Sequence, residues 1–174
     1  MIIVRRTVVI CASLVALALP AVGLAVHLAP GDGTLVVQNG TAPRGTAVVT
    51  LVIRGAAIGH ISGFGTIVID DLTPADGSSP EVTGAIWRRD SGDTATKWGG
   101  TDFRFRAVGG AYKITVYGAG VDLVASGHGN VILAGSPDTP TRDGQYSLNG
   151  GDFRSLPASP TKPLAIGVPT SATG

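Results

Sequence analysis

The segment Trp87–Arg106, WRRDSGDTATKWGGTDFRFR, concentrates the residue types best suited to holding a ligand. It contains both tryptophans, two phenylalanines, four arginines and one lysine, with three aspartates interleaved. Aromatic rings stack on flat ligands and attract cations, and guanidinium groups make charge-assisted bonds to anionic oxygens. Trp98, Lys97, Arg88, Arg104 and Arg106 are therefore the candidate binding residues, and sugars or anionic polymers the candidate ligands. The competing structural reading is a strand pair with aromatics inside and charges outside. Period-2 alternation then places Phe103 and Phe105 on one face and Arg104 and Arg106 on the other. A ring that stacks on a ligand cannot also pack in a core. The binding reading thus expects Trp98, in the glycine-flanked run Lys97-Trp98-Gly99-Gly100, to be at least partly exposed and Trp87 to be buried.

Catalytic and metal chemistry find little to work with. The histidines are His27, His60 and His128. A metal site needs three or four convergent ligands, and no His/Asp spacing supplies them, so neither metal nor cofactor is expected. Ser62 or Ser126 can be paired on paper with His60 or His128 and an aspartate. No nucleophile elbow surrounds either serine, and such a triad is a matter of geometry. Glu81 is the only glutamate, so an acid pair of the glycosidase kind would have to come from aspartates such as Asp70, Asp71 or Asp122. Asp70-Asp71 at a strand end reads more simply as a solvated turn. Gly118-Ala119-Gly120 lacks the third glycine and the following helix of a phosphate-cradling loop, and no Gly-Lys-Ser/Thr occurs.

The elements that must position these residues are strands. The chain of 174 residues has 26 glycines and 11 prolines, and both residues penalise helix interiors, by roughly 1 and 3 kcal/mol relative to alanine. Val, Ile and Thr fill the stretches between glycines and suit a pleated surface. Strand candidates are Thr34–Gln38, Thr46–Ile53, Thr66–Asp70, Thr83–Arg88, Asp102–Arg106, Ala111–Tyr117, Val121–Val124, Asn130–Ala134 and Gln145–Leu148. Glycine-containing turn signals such as Gly99-Gly100 and Gly109-Gly110 separate them. The expected fold is all-β: a sandwich, barrel or short solenoid-like domain following an N-terminal hydrophobic helix.

That helix rests on Arg5 and Arg6 followed by an uncharged run, Thr7–Val26. About 20 residues at 1.5 Å each span ~30 Å, the thickness of a bilayer core. Residues 1–28 read as a signal peptide or a membrane anchor with its N-terminus inside, residues 7–28 contacting the membrane if uncleaved. The domain is then exported by the general secretion route, and is either anchored facing outside or secreted. Cys11, the only cysteine, lies inside the apolar run, so the domain has no internal disulfide and no thiol chemistry. A formal net charge of +1 gives no strong pull toward nucleic acid.

Residues 29–33 read as a linker, 34–154 as the glycine-rich β domain, and the Pro/Ser/Thr-rich residues 155–174 as a disordered or loosely attached tail. The domain also echoes itself. Ser62-Gly63-Phe64-Gly65-Thr66-Ile67-Val68-Ile69 matches Ser126-Gly127-His128-Gly129-Asn130-Val131-Ile132-Leu133, and a β-branched strand ending in Gly-Ala precedes each. Residues 49–69 and 113–133 are the candidate duplicated units, their glycines permitting positive φ or close approach of neighbouring strands.

Gly118-Ala119-Gly120-Val121-Asp122-Leu123, Gly127-His128-Gly129-Asn130-Val131-Ile132-Leu133-Ala134-Gly135 and Asp143-Gly144-Gln145-Tyr146-Ser147 together resemble a pattern in uncharacterised exported β-rich proteins of high-GC Gram-positive bacteria. The resemblance spans about residues 100–157, rests on glycine and strand patterns, and implies export without implying an activity. The reading that follows is a non-catalytic structural or binding module of the cell envelope, possible partner a cell-envelope polymer. The alternative is an extracytoplasmic hydrolase using His60 or His128.

Overall fold

The computed structural model describes residues 28–39, 46–135 and 144–167. The hydrophobic segment at residues 1–27 and the turn signal expected at 43–45 lie outside them. No helix among the described residues is long and apolar enough to cross a membrane.

The protein is all-β. The strands are β1 (Gly33–Gln38), β2 (Thr46–Asp71), β3 (Glu81–Thr83), β4 (Trp87–Asp90), β5 (Ala95–Ala119), β6 (Val121–Ala134), β7 (Gln145–Leu148), β8 (Arg154–Ser155) and β9 (Leu164–Ile166). A 3-10 turn, Pro74–Asp76, follows β2. Among the described residues the nine strands form one open antiparallel sheet in the order β3-β5-β2-β6-β1-β7-β8, with β4 beside β5 and β9 beside β6.

Three strands are longer than the sequence leads one to expect: β6 joins the candidates at 121–124 and 130–134, and the other two are longer still. β2 joins the candidates at 46–53 and 66–70, and β5 joins those at 102–106 and 111–117. Gly109-Gly110 therefore bends a strand and does not reverse the chain. The register explains how such strands fit. The stretch 112–118 of β5 is flanked on one side by 47–53 of β2 and on the other by 65–71 of the same strand. β2 must therefore fold back over itself, carrying the sheet with it.

The fold lines are rows of glycine. Gly33, Gly127, Gly55 and Gly110 pair successively across β1, β6, β2 and β5. Gly55 (φ 144) and Gly127 (φ 137) occupy backbone conformations that side chains rarely adopt. A Cβ on Gly55 would fall 2.2 Å from the Ser126 carbonyl oxygen, and one on Gly127 2.2 Å from that of Arg54. A second row, Gly100–Gly65–Gly118, crosses the stretch where β2 turns back. The strands enter and leave two leaves at these lines. One leaf holds residues 34–38, 121–126, 56–61 and 103–108, and the other holds 129–134, 48–53, 112–118, 65–71 and 95–100. Residues 49–69 and 113–133 run corresponding courses: second leaf, glycine corner, first leaf, Ser-Gly-x-Gly corner, second leaf.

Alternation holds through these bends. Ala47, Val49, Leu51, Ile53, Ala57, Ile61, Ile67 and Ile69 of β2 are all buried. They join Phe103, Phe105, Tyr112, Ile114, Val116, Leu123, Val131 and Leu133 in a single cluster drawn from both leaves. The even-numbered positions of β2 face outward.

Two boundaries need correction. The expected strand Thr83–Arg88 is broken at Gly84 (φ 83) into β3 and β4. The tail expected to be disordered or loosely attached from residue 155 is in place through Gly167. Leu156 and Ile166 are buried at 2% exposure, and β9 pairs with β6. Thr161 exchanges backbone and side-chain hydrogen bonds with Leu133 (3.0 and 3.1 Å), and Asn149 holds the Ala165 carbonyl and the Gly167 N–H. Prolines lack an N–H and so suit the outer margin of a sheet, where no ladder bond is missed. The residues between them supply the bonds and the buried side chains.

Candidate functional site

Strand pairing in the first leaf lays outward-facing residues in two parallel rows. One is Val36–Val124–Ile58, continuing to Arg106 and Glu81. The other is Gln38–Asp122–His60–Arg104, ending at Thr83. Between them lies an open trough of about 720 Å³, lined by residues of both rows and by Ser62. Its floor includes Gly59, against which the Phe105 ring packs from the core side. Ile58 and Val124 are each 45% exposed, so the apolar row is open to solvent.

The polar row is anchored by a short side-chain contact. His60 Nε2 lies 2.6 Å from Asp102 Oδ1. Asp102 sits where β5 slips register against β2, between the pairs Ile61–Phe103 and Phe64–Thr101. It has φ 54, a left-handed conformation that aspartate tolerates better than most residues. Such outliers cluster at functional sites because the surroundings must hold them in place. His60 thus stands beside Asp102, with Asp122 on the neighbouring strand to one side and Arg104 on the strand to the other. Gln145 reinforces the end of the row by donating to Gln38 Oε1 at 3.1 Å.

A triad is not assembled. The Ser62 hydroxyl donates to the Gly120 carbonyl at 3.1 Å, so its proton is directed away from His60. His60 meets its aspartate through Nε2, leaving Nδ1 as the ring's other polar atom. His128 lies elsewhere, its Nδ1 3.2 Å from Asp32 Oδ1, where it clasps β6 to the chain entering β1. Among the described residues no three His, Cys, Asp or Glu side chains converge as metal ligands would.

The five residues singled out by sequence do not form one site. Arg104 and Arg106 project into the trough's two rows, while Phe103 and Phe105 are buried between them, as alternation requires. Arg88, Lys97 and Trp98 belong to the ribbon of β4 and the start of β5. The two tryptophans are reversed relative to expectation: Trp98 is 9% exposed and joins the core, whereas Trp87 is 39% exposed. Register is the reason. Trp98 is directly opposite Arg88 on the inward face, with the guanidinium carbon 5.8 Å from the ring centroid, and Trp87 is opposite Gly99 on the outward face. Trp98 is thereby withdrawn as an aromatic platform.

Ile58, Val36, Val124 and Gln38 were not recognised from sequence as site residues. The available signal was weak: an apolar residue, Ile58, at an even position in a strand whose odd positions face inward. Comparison with family models, curated proteins and solved structures finds no match to this chain.

Proposed function

We propose that the protein is a non-catalytic binding module of the cell envelope, whose trough on the first leaf takes a ligand with an apolar body and a polar edge. The observation that carries this reading is the solvent-open row Val36–Val124–Ile58 lying directly beside the charged row Asp122–His60–Arg104. Apolar surface left open in a concave place, rimmed by polar groups, is the ordinary character of a ligand site. The two leaves, closed on one core, are taken as the halves of a β-sandwich. The position outside the cytoplasm is supported by Arg5-Arg6 and the uncharged run that follows. The hydrolase alternative is disfavoured by the Ser62 hydrogen bond to Gly120.

Thermal-shift screening of the full chain against fractionated envelope material tests the reading. A ligand present at 100 times its Kd stabilises the folded state by about 2.7 kcal/mol. The expected result is a fraction that raises Tm for the native chain and fails to do so for Ile58→Lys, which places a cation in the apolar row. An active fraction that shifts both proteins equally sinks the trough as the site. Turnover of the bound compound, lost in His60→Ala, makes the hydrolase the better reading.

A further inference from the structure

The ribbon of β4 and the first stretch of β5 carries a second constellation, which shares no residue with the trough. Register pairs Trp87 with Gly99 and Arg89 with Lys97, and period-2 alternation puts all four on the outward face of the second leaf. The Trp87 indole lies flat across Gly99: a Cβ there would sit 2.2 Å from its Cζ2 and 2.5 Å from its Cε2. Lys97 Nζ is 6.0 Å from the indole centroid. Arg89 and Lys97 are thus like charges directly opposite each other, an arrangement that weakens an antiparallel pair. Neither is in an ion pair among the described residues. Cations on a margin strand also discourage pairing with another chain, which accounts for charge at Arg88 and Arg89. It does not account for an exposed indole held flat by a glycine beside them.

The row that begins at Trp87 and Gly99 continues through Thr66 to Tyr117, which is 51% exposed. Three strand spacings make this lane ~14 Å long. It offers an indole, a bare glycine, a threonine hydroxyl and a phenol in sequence, with Arg89 and Lys97 along one side.

We infer that this lane binds an acidic polysaccharide, a sugar ring stacking on Trp87 while its carboxylate is held by Arg89 and Lys97. A carboxylate between the two cations relieves their mutual repulsion and receives charge-assisted hydrogen bonds. A lone small anion has no use for the rings, and an apolar partner has none for the cations. Polyphosphate chains such as nucleic acid are drawn by extended positive fields, whereas this chain carries a formal net charge of +1.

Affinity electrophoresis of the full chain through gels containing polygalacturonate, its methyl ester or no polymer provides the test, with single-stranded DNA and phosphatidylglycerol vesicles as competitors. Retardation by polygalacturonate is expected, at least tenfold weaker with the methyl ester. It should be lost in Trp87→Ala and in Arg89→Gln/Lys97→Gln, while thermal melts show each variant folded. Ile58→Lys should be retarded normally, which separates this site from the trough. In Trp98→Phe, Trp87 remains as the only indole, and its emission should change saturably with polygalacturonate. The inference is overturned by absence of retardation, by undiminished retardation of folded Trp87→Ala, or by DNA or vesicles competing as well as free polygalacturonate does.

Discussion

At the residue scale, small groups of side chains fix positions that the strands alone would leave loose. Asp76 follows β2 in an exposed turn and accepts hydrogen bonds from the Ser78 hydroxyl, the Thr73 hydroxyl and the Ser78 N–H. These bonds favour its charged form and hold its carboxyl below the ordinary value of 3.8, the Ser78 hydroxyl contributing most. The turn is tied onward to the core, because the Tyr112 hydroxyl donates to Ser78 Oγ at 2.8 Å and Tyr112 is fully buried. A carboxyl with a depressed folded pKa contributes stability that is complete above its unfolded value and is lost as pH falls through the folded one. NMR titration of the Asp76 carboxyl carbon should therefore give a midpoint below 3.8. In Asp76→Asn the local acid response of Ser78 and Thr73 should vanish. A midpoint at or above the ordinary value means that the hydrogen bonds are not kept in solution.

At the element scale, the glycine rows are what allow strands of 26 and 25 residues in so small a protein. At about 3.3 Å per residue, β2 if straight would run ~85 Å. Bending at the Gly33–Gly127–Gly55–Gly110 line brings its ends to either side of one stretch of β5. Gly127→Ala introduces a methyl group against the Arg54 carbonyl and demands a φ that alanine rarely adopts. The expected cost is about 3 kcal/mol, with lower Tm and lower denaturant midpoint. Gly150→Ala is the control for backbone strain without crowding: it also has positive φ, but nothing lies within 4 Å of its Cβ position. It should cost about 1 kcal/mol. Equal effects at the two positions are incompatible with a crowded fold line. The strand candidates near 46–53, 111–117 and 130–134 were legible because alternation with β-branched residues is local. The merging of candidates into β2, β5 and β6 was not, because glycine marks a bend and a reversal alike.

At the scale of the whole molecule, the sheet carries the two proposed sites on different leaves, and their proposed ligands differ. The trough depends on side chains from β1, β2, β5 and β6, and the lane on β2, β4 and β5. Both need an environment where such ligands exist, and the proposed position is outside the cytoplasm. A reporter enzyme active only outside the cytoplasm, fused after Gly33, should be active. A stably expressed but inactive fusion removes export. Mass spectrometry of the mature N-terminus then distinguishes a cleaved signal from an anchor.

The sequence by itself determined the class of the fold, since glycine and proline oppose helix while Val, Ile and Thr in alternation favour strands. It also determined that Phe103 and Phe105 turn inward and Arg104 and Arg106 outward, because adjacent residues of a strand must face opposite ways. Only the tertiary structure decided which tryptophan is covered. That depends on β4 meeting β5 with Arg88 opposite Trp98, a register set between residues on two strands and written in neither. Only the tertiary structure likewise aligned Gly33, Gly127, Gly55 and Gly110 into one fold line, and brought His60 to Asp102 across 42 residues of chain. These are contacts of high sequence separation. Their information lies in the packing of one core, not in the periodicity of any one segment.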